Sequence, residues 1–321
     1  MLGVIALIGV CSCTPVDPDG LPRTNIITGH TGSSWYRIGS VIAEKANSFH
    51  PGHLLTAIPG AGGVSNPARI GRVPGDFGLS FLPFLRAARA GTEPYRRAFP
   101  ELRHVATLLQ NKLHVLASEE LGLGQISDLA DLGPGYLAIG TGPPGSGEEF
   151  LLREALEAVG LSYERIREAG GRIEVAGSGE RADLFRDHHI SIIVFHSVVP
   201  SPLITELLLT RRSRLLTMGP AVRRALQEEW SVEALQIPAL VYPEQEALVD
   251  TVGLSFAVFT TAEVDERLVY SVVRGIAENH PFFRSVHSGF RDWQLERMVD
   301  SGGVPTHAGA ERYYRERGWI E

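Results

Sequence analysis

Three segments of this chain combine glycine with serine or threonine in a way that suits the binding of a small anion. They are Gly29-His30-Thr31-Gly32-Ser33-Ser34, Gly60-Ala61-Gly62-Gly63-Val64-Ser65-Asn66 and Gly140-Thr141-Gly142-Pro143-Pro144-Gly145-Ser146-Gly147. Each follows a short apolar run and precedes a helical pattern, so each reads as a strand-to-helix turn. The first amides of a helix lack partners inside it, and the helix dipole places partial positive charge beside them. Glycine admits a ligand close to the backbone, and the hydroxyls add donors. One such turn is common to every α/β fold. Three at the carboxyl ends of strands in an open sheet would face one crevice, where amides and hydroxyls hold a carboxylate without an arginine.

Aromatic and polar groups adjoin these turns. Trp35 shares its helical stripe with Ile38 and Ile42 and reads as core, whereas Tyr36 lies off that stripe and is a contact candidate. His196 and Ser197 end a long apolar run and are candidates for the same crevice. Ser146 with Glu149 three residues on spells a capping box, so its hydroxyl serves either as helix cap or as ligand contact.

Other chemistries fit less well. Gly140-x-Gly142-x-x-Gly145 has the dinucleotide spacing, but Pro143 and Pro144 remove backbone donors where a pyrophosphate would need them. There is no Gly-x-Ser-x-Gly elbow, since Gly145-Ser146-Gly147 and Gly177-Ser178-Gly179 have the wrong spacing. No His-Glu-x-x-His occurs, and His50, His53 and His188-His189 read as loop histidines, so no metal site is expected. Glu148-Glu149 falls in a first helical turn, where the dipole accounts for paired acids. No catalytic constellation and no cofactor emerge.

The turns require elements to hold them. Thr24–Thr28, Leu54–Ile58, Phe77–Phe81 and Leu113–Ala117 read as strands separated by helical patterns, and residues 136–139, 190–195 and 252–259 continue the alternation. Asn66-Pro67 opens a short helix, with Asn as N-cap and Pro at the first position. Such an order builds a mostly parallel sheet covered on both faces. Two α/β units joined by extended segments near 113–118 and 252–259 imply two lobes with two crossings. Residues 23–116 and 256–321 form one lobe and 117–255 the other.

Composition agrees with a folded domain pair. The chain has 321 residues, 44% hydrophobic and 21% charged, and a net charge of −7 that disfavours nucleic acid. Met1–Val10 is apolar and uncharged, too short to span a bilayer but suited to a secretion signal within a leader of residues 1–22. Cys13 after Ser12 fits a lipidation site; simple signal cleavage nearby is the alternative. Both cysteines, Cys11 and Cys13, lie here, leaving the body without disulfide or thiol nucleophile.

Several motifs, in order, resemble the TAXI-type solute-binding proteins of TRAP transporters. They are ITGHTGSSWYRIGSVIAEKAN (27–47), PGAGGVSNPARI (59–70), PGDFGLS (74–80), LRHVATLLQNKLHVLA (102–117), ISDLADL (126–132), AIGTGPPGSGEEFLLREALEAVGL (138–161) and VPTHAGAERYYRERG (304–318). The resemblance implies a monomeric, two-lobed, type II periplasmic-binding-protein fold. Such a receptor closes over a small carboxylate, such as glutamate, glutamine or a dicarboxylate, and delivers it to membrane permease subunits. On that view Gly32, Ser33, Ser34, Tyr36, Gly63, Ser65 and Asn66 line one lobe, and Gly145, Ser146, Gly147, Glu148, His196 and Ser197 the other. The Pro305–Tyr314 signature packs and caps. The chain departs from the family pattern with His30 for Gly, Glu148 for Thr, and Ser191-Ile192 for an acidic residue and Ala. Glu148 puts negative charge beside an anion site or accepts from a ligand's amino group. An extracytoplasmic enzyme or a ligand sensor on the same scaffold are the competing functions.

Overall fold

The computed structural model describes residues 20–50, 52, 54–291 and 293–321. The leader with Cys13, and His53, lie outside the described residues. Short apolar runs become the first strands: β1 (Thr24–Ile27), β2 (Leu55–Ile58) and β3 (Phe77–Phe81), in spatial order β2-β1-β3 and parallel. Between and after them come helices α1 (Ser34–Asn47), α2 (Asn66–Arg72) and α3 (Leu82–Ala90). The apolar stripe of α1 buries Ile38, Ile42 and Ala46 as its spacing predicts.

Strand β4 (Leu102–Ser118) begins eleven residues before the expected start at Leu113, because the apolar pattern continues back to Leu102 without a breaker. After it come α4 (Asp128–Leu132), β5 (Ala138–Thr141), α5 (Gly147–Glu157), α6 (Tyr163–Glu168), β6 (Arg172–Val175) and α7 (Ser178–Arg186). The chain continues through β7 (Ile192–Ser197), α8 (Pro202–Thr210), β8 (Ser213–Leu215), α9 (Pro220–Trp230) and β9 (Glu233–Ile237). Strand β10 (Val249–Thr261) then leads to α10 (Glu266–Glu278), α11 (His280–Val286) and α12 (Ala308–Glu316).

The sheet runs β2-β1-β3-β10-β4-β7-β5-β6, parallel toward both ends and antiparallel around β10 and β4. The two long strands change partners along their length. β4 pairs with β10 through Lys112, which is itself opposite both Gly253 and Ser197, and from there pairs with β7. β10 pairs with β9 through Gly253 and with β3 from Phe256 on, with a register shift between Ser255 and Ala257. Glycine is required at 253: a Cβ there would lie 2.2 Å from the Asn111 carbonyl oxygen.

The C-terminal signature docks on this crossing. His104 N–H donates to the Pro305 carbonyl at 2.9 Å, and His307 N–H returns to the His104 carbonyl at 2.8 Å. His307 Nδ1 caps α12 by accepting from Gly309 N–H, and the buried Tyr314 hydroxyl lies 2.5 Å from the Val105 carbonyl oxygen. Aromatic edges join helices from both ends of the sheet. Phe84 on α3 meets Phe150 on α5 at 4.7 Å, and Phe150 meets Trp230 on α9 at 4.7 Å, both near perpendicular.

Asn66 is corrected from the sequence reading. Ser65, not Asn66, is the N-cap of α2, and Asn66 is buried inside the first turn. Its Nδ2 donates to the carbonyls of Thr28 at 2.9 Å and Leu79 at 2.8 Å, tying α2 to β1 and β3. Asn66→Ala is therefore expected to cost about 2 kcal/mol by leaving buried carbonyls unpaired. Urea unfolding of the variant checks this; an unchanged midpoint would return Asn66 to a role other than support.

Candidate functional site

The carboxyl ends of β1, β5, β6 and β7 open into a cavity of about 600 Å³. Four helices point their N-termini at it. α1 contributes Gly32, Ser33 and Ser34; α5 contributes Ser146, Gly147 and Glu148; α7 contributes Gly177 to Glu180; α8 contributes Ser201 to Leu203. Two of these termini are capped by their own serines: Ser33 Oγ accepts from Tyr36 N–H at 3.2 Å and Ser146 Oγ from Glu149 N–H at 3.3 Å. The other two, preceded by Gly177 and Ser201, have no side-chain cap. Four dipoles converging on one space favour negative charge there.

The turn before α2 supplies Ala61, Gly62 and Gly63 to the wall and meets the turn before α5. Val64 N–H donates to the Gly145 carbonyl at 3.1 Å, so the two turns touch across the cavity rim. Gly62 has φ +115°, and a Cβ there would stand 2.7 Å from that same carbonyl oxygen. Only glycine allows this approach.

An aromatic wall backs the amides. Trp35 and Phe81 meet edge to face at 4.9 Å, and Phe81 meets the His196 ring at 4.9 Å. Trp35 both packs on Phe256 and faces the cavity. His196 Nε2 is 3.0 Å from the Asn111 carbonyl, which can only accept, so Nε2 carries the proton and Nδ1 is the acceptor nitrogen. Burial pulls its pKa down to about 3, so the ring is neutral near pH 7.

Charged groups are few. Glu148 pairs with Arg181 at 3.3 Å; Arg181 is fully buried, donates to the Ala176 carbonyl at 2.8 Å and stacks over Phe195. Burial lowers the Arg181 pKa, and the Glu148 charge opposes that shift. Arg37 on α1 is exposed at the cavity edge without an ion-pair partner among the described residues. His287 faces the same cavity, its pKa lowered by burial and by the nearby Arg37 charge. Among the described residues no group of His, Cys, Asp and Glu could hold a metal.

Of the residues singled out in the sequence, Gly32, Ser33, Ser34, Gly63, Ser146, Gly147, Glu148, His196 and Ser197 face this cavity. Tyr36, Ser65, Asn66 and Gly145 do not line it. Tyr36 lies beyond the α1 cap, and its carbonyl accepts from Ser40. Ser65 Oγ instead sits against Gly145, 2.3 Å from where a Cβ would be, and Gly145 uses its carbonyl to hold Val64. Sequence reasoning missed the turn before α7, although Gly177-Ser178-Gly179 repeats the Gly-Ser-Gly of 145–147 and ends a strand in the same way. Arg37, Ser201 and His287 carried no local signal.

This arrangement of sheet, crossing strands and cavity is the fold of the periplasmic solute-binding proteins. MatC from Rhodopseudomonas palustris, solved with bound malate, has a TM-score of 0.54 at 12% identity over 93% of this chain and 99% of its own. The periplasmic binding protein BugD gives 0.54 at 9% identity over 92% and 94%. PhnD1 from Prochlorococcus marinus, solved with methylphosphonate, gives 0.54 at 12% identity over 92% and 98%. The chain belongs to the NMT1-like family, whose model matches residues 26–318. Among the described residues no helix is long and apolar enough to cross a membrane.

Proposed function

We propose that this chain is an extracytoplasmic solute receptor of the TAXI type that binds one small carboxylate and delivers it to a TRAP-type permease. The observation that carries the reading is the convergence of four helix N-termini on one cavity with few charges of its own. Such a site holds an anion by backbone amides and hydroxyls. The malate of MatC and the methylphosphonate of PhnD1 are small anions on the same fold.

Residues 23–116 with 256–321 act as one lobe and 117–255 as the other, hinged where β4 and β10 exchange partners. Gly32, Ser33, Ser34 and Gly63 bind from the first lobe; Ser146, Gly147, His196 and Ser197 bind from the second. Glu148, already neutralised in part by Arg181, accepts from an amino group when the ligand is an amino acid. Tyr36, Ser65, Asn66 and Gly145 support the turns. A ligand that touches both lobes shifts the equilibrium toward closure.

Purified protein is expected to melt at higher temperature with glutamate, glutamine or a C4 dicarboxylate. At a ligand concentration 100 times Kd the stabilisation is about 2.7 kcal/mol. Native mass spectrometry of freshly purified protein checks whether the cavity is already filled. An empty cavity together with no melting shift across amino acids and dicarboxylates overturns the reading, as does turnover of any of them.

A further inference from the structure

A second cavity, of about 640 Å³, lies behind the first and shares with it only Val198 and Pro202. It falls outside the anion site just described. Its size is within the roughly 300–1,000 Å³ of small-molecule pockets. One wall is the stretch of β4 before the partner exchange, with Leu108 and Leu109; the facing wall is the loop after β7 and the outer side of α8, with Val199 and Leu209. Leu209 is 70% exposed, an aliphatic side chain left largely uncovered by the described residues.

Charge in this cavity is one-sided. Lys112, Arg291 and Arg297 line it against, among the described residues, a single acid, Glu206, which is engaged by Arg186. Lys112 reaches the Gln236 carbonyl at 2.5 Å, and burial lowers its pKa. Arg291 and Arg297 have no ion-pair partner among the described residues. Trp293, between them in sequence and 6% exposed, holds an indole N–H that is buried without an acceptor among the described residues.

Unpaired guanidinium groups at the edge of an apolar chamber match a ligand with an anionic head and a hydrocarbon body. We propose that this cavity is a second ligand site, for a single-chain amphipathic carboxylate. The carboxylate lies at Arg291 and Arg297, and the chain runs along Leu108, Leu109, Val199 and Leu209. It differs in kind from the first cavity, where amides and hydroxyls face a small, polar anion.

Decanoate is the probe, titrated into the full chain by calorimetry and by tryptophan fluorescence. One saturable site is expected, with decanol binding at least tenfold more weakly. The double variant Arg291→Gln, Arg297→Gln lowers decanoate affinity at least tenfold, and Leu209→Glu does the same from the other end of the cavity. All three positions are exposed, and unchanged melting temperatures of the variants confirm that they fold. Trp293→Phe removes the fluorescence change while the calorimetric signal persists. Absence of saturable decanoate binding, equal affinity for decanol, or undiminished binding by the double variant overturns the proposal.

Discussion

Lowering the pH from 7 to 5 is expected to remove about 4 kcal/mol of folding stability through two buried histidines alone. His104 and His114 are both fully buried, and burial holds each near a pKa of about 3. His104 Nε2 faces the Thr107 hydroxyl at 3.0 Å and its Nδ1 has no partner among the described residues. His114 Nδ1 donates to the Lys112 carbonyl at 2.9 Å, and its Nε2 accepts from the Tyr242 hydroxyl at 3.0 Å, which accepts in turn from Ser201 N–H. Neither ring has room for a solvated second proton.

In the unfolded chain both rings titrate near 6.5. The unfolded state therefore binds more protons at acid pH, and stability falls as pH drops below 6.5, continuing until the folded values near 3 are reached. Well between those limits the slope approaches about 2.7 kcal/mol per pH unit. Burial raises the pKa of Glu149 and Glu154, which acts in the opposite direction between the ordinary carboxylate value and the raised one and offsets part of the loss. The net fall on acidification thus reports the histidines less this offset. His196, which burial also holds near a pKa of about 3, adds to the loss. Urea unfolding at pH 7 and pH 5 measures the difference. Equal unfolding free energies at the two values would show that these rings take up protons without unfolding.

Replacement of Glu148 by leucine should destabilise the protein by about 3–5 kcal/mol, the usual cost of leaving a buried charge without its partner. Arg181 is wholly inaccessible, its Nε already lacks an acceptor, and Glu148 provides the only countercharge among the described residues. What would remain is the Ala176 carbonyl and the face of Phe195, at 5.0 Å. Glu148→Gln retains an acceptor oxygen and is expected to lose less. The decisive variant is the double substitution Glu148→Leu with Arg181→Met, in which no charge is stranded. It should recover most of the stability lost by either single change, a coupling read from a double-mutant cycle. If the leucine variant unfolds at the wild-type urea concentration, the pair has no structural role. The site's unusual acid would then have to be explained by the ligand alone.

Much of the molecule was readable from local pattern. The α1 stripe, the exact extent of β3 and the glycine turns before α1 and α5 follow from apolar spacing and cap chemistry, which act over a few residues. The extended segment expected near 252–259 lies inside β10. Errors arose where a residue's partner is distant in sequence. Asn66 looks like a cap beside Pro67, yet carbonyls of β1 and β3 claim its amide. Tyr36 lies off the apolar stripe, which excludes it from the core without aiming it at the cavity. The turn at Gly177 is legible in the Gly-Ser-Gly that it shares with residues 145–147, a local signal distinct from the nucleophile-elbow spacing it lacks.

The sequence by itself determined the α/β order, the anion-friendly turns and the poverty of catalytic groups, because propensity, periodicity and capping are properties of neighbouring residues. Tertiary structure alone decided which turns share a cavity, that Glu148 has a buried arginine partner 33 residues away, and that Arg37 and His287 reach the same space. These depend on how β4 and β10 exchange partners at Lys112 and Gly253. No local pattern encodes that exchange, since it sets Lys112 of β4 against Gly253 of β10, far apart in sequence.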